Sequence, residues 1–279
     1  MKRRYFALVL IASVLLFAGC GAIDKITEIS IEVTPDGTIL RGSNLSGKLN
    51  WLDDNAESNN TYIIEIGNDQ SISSRTLRYG DRNNITVILK GTRENRNINA
   101  SGGNMFSVNY GVTFVLGENI TLNGRLNRDY LVNINGGTFI MNIGSAITGN
   151  RHSAVYINSG TFEMTGGTIN DNIADRGGGV FVGRNGTFNM TGGNITGNIA
   201  REYGGGVFIE REGTFVKTRG AITGFADDPN GNVVENNAGN TLTNRGHAVY
   251  LDNLSPRHRE TTVTRTDSLS SNSIYGWDN

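Results

Sequence analysis

The chain has 279 residues, of which 38 are glycine, 3 proline and 1 cysteine, and its formal net charge is −1. Glycine at that level without a strict three-residue period excludes collagen. A single cysteine excludes an internal disulfide framework, and near-neutral charge without a basic stripe argues against nucleic acid as a partner. Apolar residues make up only 37% of the sequence, yet they are strongly patterned, which points to many short strands and turns rather than disorder.

Residues 1–19 read as a targeting segment. Lys2, Arg3 and Arg4 form its positive region, and residues 5–17 are an apolar run too short for a good membrane span. Without those three cations the formal charge falls to about −4. Phe17-Ala18-Gly19-Cys20 resembles the lipobox of bacterial lipoproteins, with Phe17 in place of the usual leucine and Leu16 one position earlier. The resemblance implies cleavage before Cys20 and lipidation of its thiol, so the membrane becomes a partner through an N-terminal lipid. The exported body then has neither a free thiol nor a disulfide. Packing and hydrogen bonds must hold it together.

Residues 20–43 are expected to be a lipidated tether with a short strand near 29–33. A single domain then runs from 44 to 279. Over 44–55, Leu45, Leu49 and Leu52 recur at helical spacing beside Trp51. This predicts a short amphipathic helix that covers the open N-terminal mouth of the domain. The first strands are expected at Tyr62-Ile63-Ile64-Glu65-Ile66 and Ile85-Thr86-Val87-Ile88-Leu89.

From there the sequence repeats. A phenylalanine anchor recurs at Phe114, Phe139, Phe162, Phe188 and Phe215, with spacings of 25, 23, 26 and 27. A second run carries Ile120, Ile147, Ile169, Ile195 and Ile222. A third carries Phe106/Val108, Val132/Ile134, Val155/Ile157, Val180/Val182, Val207/Ile209 and Val249/Leu251. Each unit of about 25 residues holds three alternating segments separated by Gly/Asn turns such as Gly166-Gly167 and Gly192-Gly193. Period-two alternation buries one face of each segment. A strand of three to five residues cannot bury that face alone, but equivalent strands stacked in parallel about 4.8 Å apart can. The predicted fold is therefore all-β, a three-sided right-handed parallel β-helix with interior columns of Phe, Met and Ile. Asn150, Asn172 and Asn198 fall at matching points and are expected to form an inward asparagine ladder. An insertion over 225–244 breaks the period, and 255–279 reads as an irregular tail with one closing strand.

Gly177-Gly178-Gly179-Val180-Phe181-Val182 followed by 186–198 (GTFNMTGGNITGN) resembles the repeat units of bacterial right-handed β-helix surface proteins of the pectin-lyase-like superfamily. Arg245-Gly246-His247-Ala248-Val249-Tyr250 and the Trp51 helix resemble spirochaete lipoproteins of that kind. The resemblance covers roughly 45–279. It implies surface display, at the outer membrane or cell surface, and little more.

The superfamily also contains polysaccharide lyases and glycoside hydrolases, which makes such an enzyme the alternative reading. Its lyases bind calcium through outward acidic residues on one stacked sheet, and its hydrolases need two outward carboxylates. Here the corresponding outward positions are Asn133, Tyr156, Phe181, Phe208 and Tyr250, none of them acidic. No cofactor is expected. His152, His247 and His258 lack metal-ligand spacing, and Asp171, Asp175, Asp227 and Asp228 lack the fixed pattern of calcium-binding nonapeptide repeats.

Two constellations remain. Tyr156, Phe181, Phe208 and Tyr250 form an outward aromatic column with rings about 5 Å apart. It is either a docking strip for glycan rings or a partner protein, or self-supporting stacking that stiffens the solenoid. His152, Asp175, Arg176, Arg201 and Glu202 collect in the turn before the aromatic sheet. They are either an anion or acid/base site, or a solvated ladder of opposite charges, the reading the sequence favours. Together these features predict a monomeric, non-catalytic cell-envelope scaffold or adhesin-like module.

Overall fold

The computed structural model describes residues 30–42, 44–224, 230–242, 245–252 and 262–265, the last four and Ser30 as backbone alone. The leader, Cys20, Asp227, Asp228 and most of the tail, His258 included, lie outside these residues. Strands make up 53% of the chain and helix 5%, and the strands wind into a parallel β-solenoid of about seven turns.

Each turn visits the same path. The first track stacks 75–77, 106–108, 132–134, 155–157, 180–182, 207–209 and 249–251 in parallel. The second stacks 61–66, 85–91, 112–116, 138–141, 161–164, 187–190 and 214–217. The third runs from 70–72 through 96–100, 120–123, 145–148, 168–170 and 194–196 to 221–222. In Val132–Met141 and Val155–Met164 the first and second tracks are one bent strand. The bend coincides with a register slip beside Asn135 and Ser159.

Period-two alternation explains the core. Phe114, Phe139, Phe162, Phe188 and Phe215 pair in register, with successive ring centroids 5.6, 5.1, 4.7 and 4.9 Å apart. Leu116, Met141, Met164 and Met190 form the column beside them. All are buried. Burying each such side chain stabilises the fold by about 1.5–3 kcal/mol. On the third track the column reads Ile98, Leu122, Ile147, Ile169, Ile195 and Ile222. Ile120, expected in this column, pairs with Ser145 instead.

The turn after the second track shows why glycine is needed there. Gly193 sits at φ +83°, and a Cβ on Gly192 would stand 2.2 Å from the Thr165 carbonyl oxygen. At the next corner, Asn150, Asn172 and Asn198 form the expected inward ladder, and Asn232 extends it. Nδ2 of Asn172 donates to Oδ1 of Asn198 at 2.9 Å, and Nδ2 of Asn198 to Oδ1 of Asn232 at 2.8 Å.

Three features differ from the expectation. A fourth, shorter track stacks Ile173–Arg176, Ile199–Tyr203 and Val233–Val234 between the ladder and the glycine turns. The predicted insertion is therefore not wholly outside the repeat, since Asn232, Val233 and Val234 occupy ordinary coil positions. Within the predicted tether, Ser30–Thr34 and Gly37–Arg41 form an antiparallel hairpin whose second strand joins 62–64 in parallel. The closing strand expected in the tail corresponds to Thr262–Arg265, which pairs in parallel with Thr214–Lys217.

The helix spans Leu45–Asn55, close to the predicted bounds. Asn44 caps it by accepting from the Gly47 N–H at 3.1 Å. Leu45, Leu49 and Leu52 are buried in the common core, and Trp51 packs edge-on against Tyr62 at 6.1 Å. Lys48 is buried as well, and its Nζ donates to the Glu65 carbonyl. Burial pushes this ammonium down to about 8, against the opposing attraction of Glu65.

Candidate functional site

The aromatic column is in the predicted register: Asn133, Tyr156, Phe181, Phe208 and Tyr250 occupy equivalent positions on the first track. Ring centroids are 5.2 Å apart for Tyr156–Phe181, 4.9 Å for Phe181–Phe208 and 5.7 Å for Phe208–Tyr250. Two rings that the sequence reading missed extend it. Tyr130 stacks on Tyr156 at 4.6 Å, and Tyr203 lies 4.4 Å from Tyr250. The strip is less open than expected. Tyr156, Phe181 and Tyr250 are half-buried, and Phe208 is only 2% exposed. Fourth-track neighbours explain this, since the Arg176 guanidinium lies 5.6 Å from the Phe208 ring and 6.0 Å from that of Tyr203. Phe208 therefore supports the strip and does not present a face to a ligand. Burial raises the Tyr130 hydroxyl to about 12 and also raises those of Tyr156 and Tyr250.

The charged residues sit close to this strip but not in one turn. His152 is in the turn, whereas Asp175 and Arg176 belong to strand Ile173–Arg176, and Arg201 and Glu202 to Ile199–Tyr203. Charges of opposite sign meet across coils. Arg176 Nε and Glu202 are 2.7 Å apart, as are Arg201 and Glu235. Such part-exposed pairs contribute about 0–1 kcal/mol each. They also engage Glu202 and Glu235, so Asp175 is the single carboxylate lining the adjoining groove of about 540 Å³, beside Arg128, Arg151, His152 and Arg201.

His152 packs against Tyr130 at 4.4 Å. Burial lowers its affinity for a proton. Its Nδ1 accepts from the Ser153 N–H at 2.9 Å, so the neutral ring carries its proton on Nε2. His247 lies apart, with Nδ1 accepting from the Val234 N–H at 2.9 Å. Among the described residues no three His, Cys, Asp or Glu side chains converge as metal ligands would.

A second outward column accompanies every phenylalanine anchor. Thr61, Thr86, Thr113, Thr138, Thr161, Thr187 and Thr214 are in register and half-buried along the second track. The threonine preceding each anchor was its signal in the sequence. Thr–Thr neighbours on one face stabilise a sheet by a few tenths of a kcal/mol, up to about 1, per pair.

No family model, no curated protein and no solved structure matches this chain.

Proposed function

We propose that this chain is a non-catalytic cell-envelope lipoprotein, anchored through Cys20, whose solenoid acts as a binding scaffold for a glycan or a partner protein. The observation that carries the binding role is the continuous ring strip from Tyr130 through Tyr156 and Phe181 to Tyr250 and Tyr203. Packed rings lose little freedom when a ligand lands on them, which favours docking on the half-exposed members. The lipid anchor rests on the leader and its one cysteine. Pairing of Glu202 and Glu235 with arginines weighs against a two-carboxylate hydrolase at the neighbouring groove.

A glycan array with the leaderless chain, run beside an absorbance assay for unsaturated uronides, tests this reading. Binding without turnover is expected. The Tyr156→Ala and Phe181→Ser variants should each lose roughly tenfold in affinity, the loss of one stacked ring contact. Turnover abolished by Asp175→Ala would replace the scaffold with the lyase reading.

A further inference from the structure

We propose that a groove at the corner between the first and second tracks, beside Tyr110, binds a neutral, hydroxyl-rich sugar. The groove has a volume of about 350 Å³, and Asn83, Asn84, Tyr110, Thr113 and Thr138 supply its functional groups. It shares no side chain with the ring strip.

Tyr110 stands between strands Phe106–Asn109 and Val112–Leu116. It is 78% exposed, the single aromatic among the exposed large apolar side chains described. A ring so exposed gains nothing for the core, and burial is the usual use of such a side chain. The coil above presents Gly136 at this corner: it pairs with Asn109, and a Cβ added to it would stand 3.5 Å from that of Tyr110. That glycine leaves the space beside the tyrosine free of a side chain. The coil below supplies Asn83 and Asn84. The Asn83 amide nitrogen donates to the Asp81 carbonyl at 2.8 Å and that of Asn84 to Oδ1 of Asn59 at 3.0 Å. Both groups are thereby oriented, and each Oδ1 accepts from no donor among the described residues.

The chemistry of the lining selects the ligand class. A pyranose has an apolar C–H face and a rim of hydroxyls. The tyrosine ring offers a surface for the first. Amide oxygens and threonine hydroxyls meet the second, the hydroxyls as donors and acceptors alike. Every side chain lining the groove is uncharged, so an acidic sugar finds no cation to pair with. An added peptide strand finds no free sheet edge, because the backbone here is already paired: the Ile85 N–H donates to the Gly111 carbonyl at 3.0 Å.

Calorimetric titration of the full chain with neutral hexasaccharides of glucose, mannose and galactose, and with hexagalacturonate, tests the site. One neutral saccharide should bind, and hexagalacturonate should bind more weakly. Tyr110→Ala should weaken that binding roughly tenfold or more. Its melting temperature should stay within a degree or two of the parent, since the ring is exposed. Asn83→Ala should weaken binding by a smaller factor and serves if the first variant misfolds. Neutral-sugar binding that persists in both variants and is lost in Phe181→Ser would overturn this site while leaving the ring strip standing. Failure of every neutral saccharide to bind would also overturn it, whatever the strip binds.

Discussion

Replacing Phe188 by alanine is expected to lower the unfolding free energy by about 3–5 kcal/mol. The ring is fully buried, with Phe162 at 4.7 Å on one side and Phe215 at 4.9 Å on the other. Its plane is tilted only 5° from that of Phe162. Removing it deletes two ring contacts and leaves a void. The void cannot close, because the coil spacing is fixed by the ladders that pair Thr187 and Phe188 with Thr161 and Phe162 below and with Thr214 and Phe215 above. Phe188→Leu, which fills much of the void, should cost less than half as much. Denaturant unfolding followed by circular dichroism measures both. Because each coil touches only its neighbours, hydrogen exchange should rise first in the coils around Phe188 rather than uniformly.

The second large effect is expected from Asn198→Leu, at about 2–4 kcal/mol. Asn198 Oδ1 accepts from the backbone N–H of Asn172 at 3.2 Å and from its Nδ2 at 2.9 Å. Its own Nδ2 donates to Oδ1 of Asn232 and to the carbonyls of Ile169 and Thr196. Leucine has a similar size and none of these groups, so it strands buried donors and acceptors in two coils at once. Asn150→Ala, at the N-terminal end of the ladder, should cost less. The coil below presents Gly124 at that point, and Asn150 Oδ1 already lacks a partner. The same unfolding measurement orders the two, and equal costs would show that the ladder is not cooperative.

The parts of the fold that were legible in the sequence are those where one residue type recurs at a fixed point of every coil. Phe114 to Phe215 and Asn150 to Asn198 announced themselves in this way. The error at Ile120 has a simple cause: a slip of two residues along a strand keeps the same face inward, so Ile120 and Leu122 are equally good matches for Ile147. The fourth track escaped notice because its pairs, such as Ile173-Ala174 with Ile199-Ala200, are too short to show alternation. Asn232 was hidden because extra residues before it broke the spacing. The hairpin over 30–41 did leave a signal, the turn sequence Thr34-Pro35-Asp36-Gly37 between two alternating runs.

For the candidate sites, the register of the aromatic strip was legible and its exposure was not. Exposure depends on neighbours in another track. Phe208 is covered by Arg176 and flanked by Tyr250, and nothing in the spacing of the first track reports a residue contributed by the fourth. The charged residues were misplaced for the same reason, since Arg176 and Glu202 read as turn residues until their strands are paired. Tyr110 carried no repeat signal at all. Its interest comes from Gly136 one coil above it, a relation between coils that only the paired strands reveal.

Equivalent residues of successive turns lie one coil step apart along a single stack. Spin labels on Thr61→Cys and Thr214→Cys, in a Cys20→Ser background that leaves no other thiol, test it by pulsed electron–electron distance measurement. Both sites face outward on the second track and are six pairing steps apart. At about 4.8 Å per step, one narrow distance near 29 Å is predicted. A broad distribution, or a distance beyond about 40 Å, would contradict the stack and the binding faces built on it.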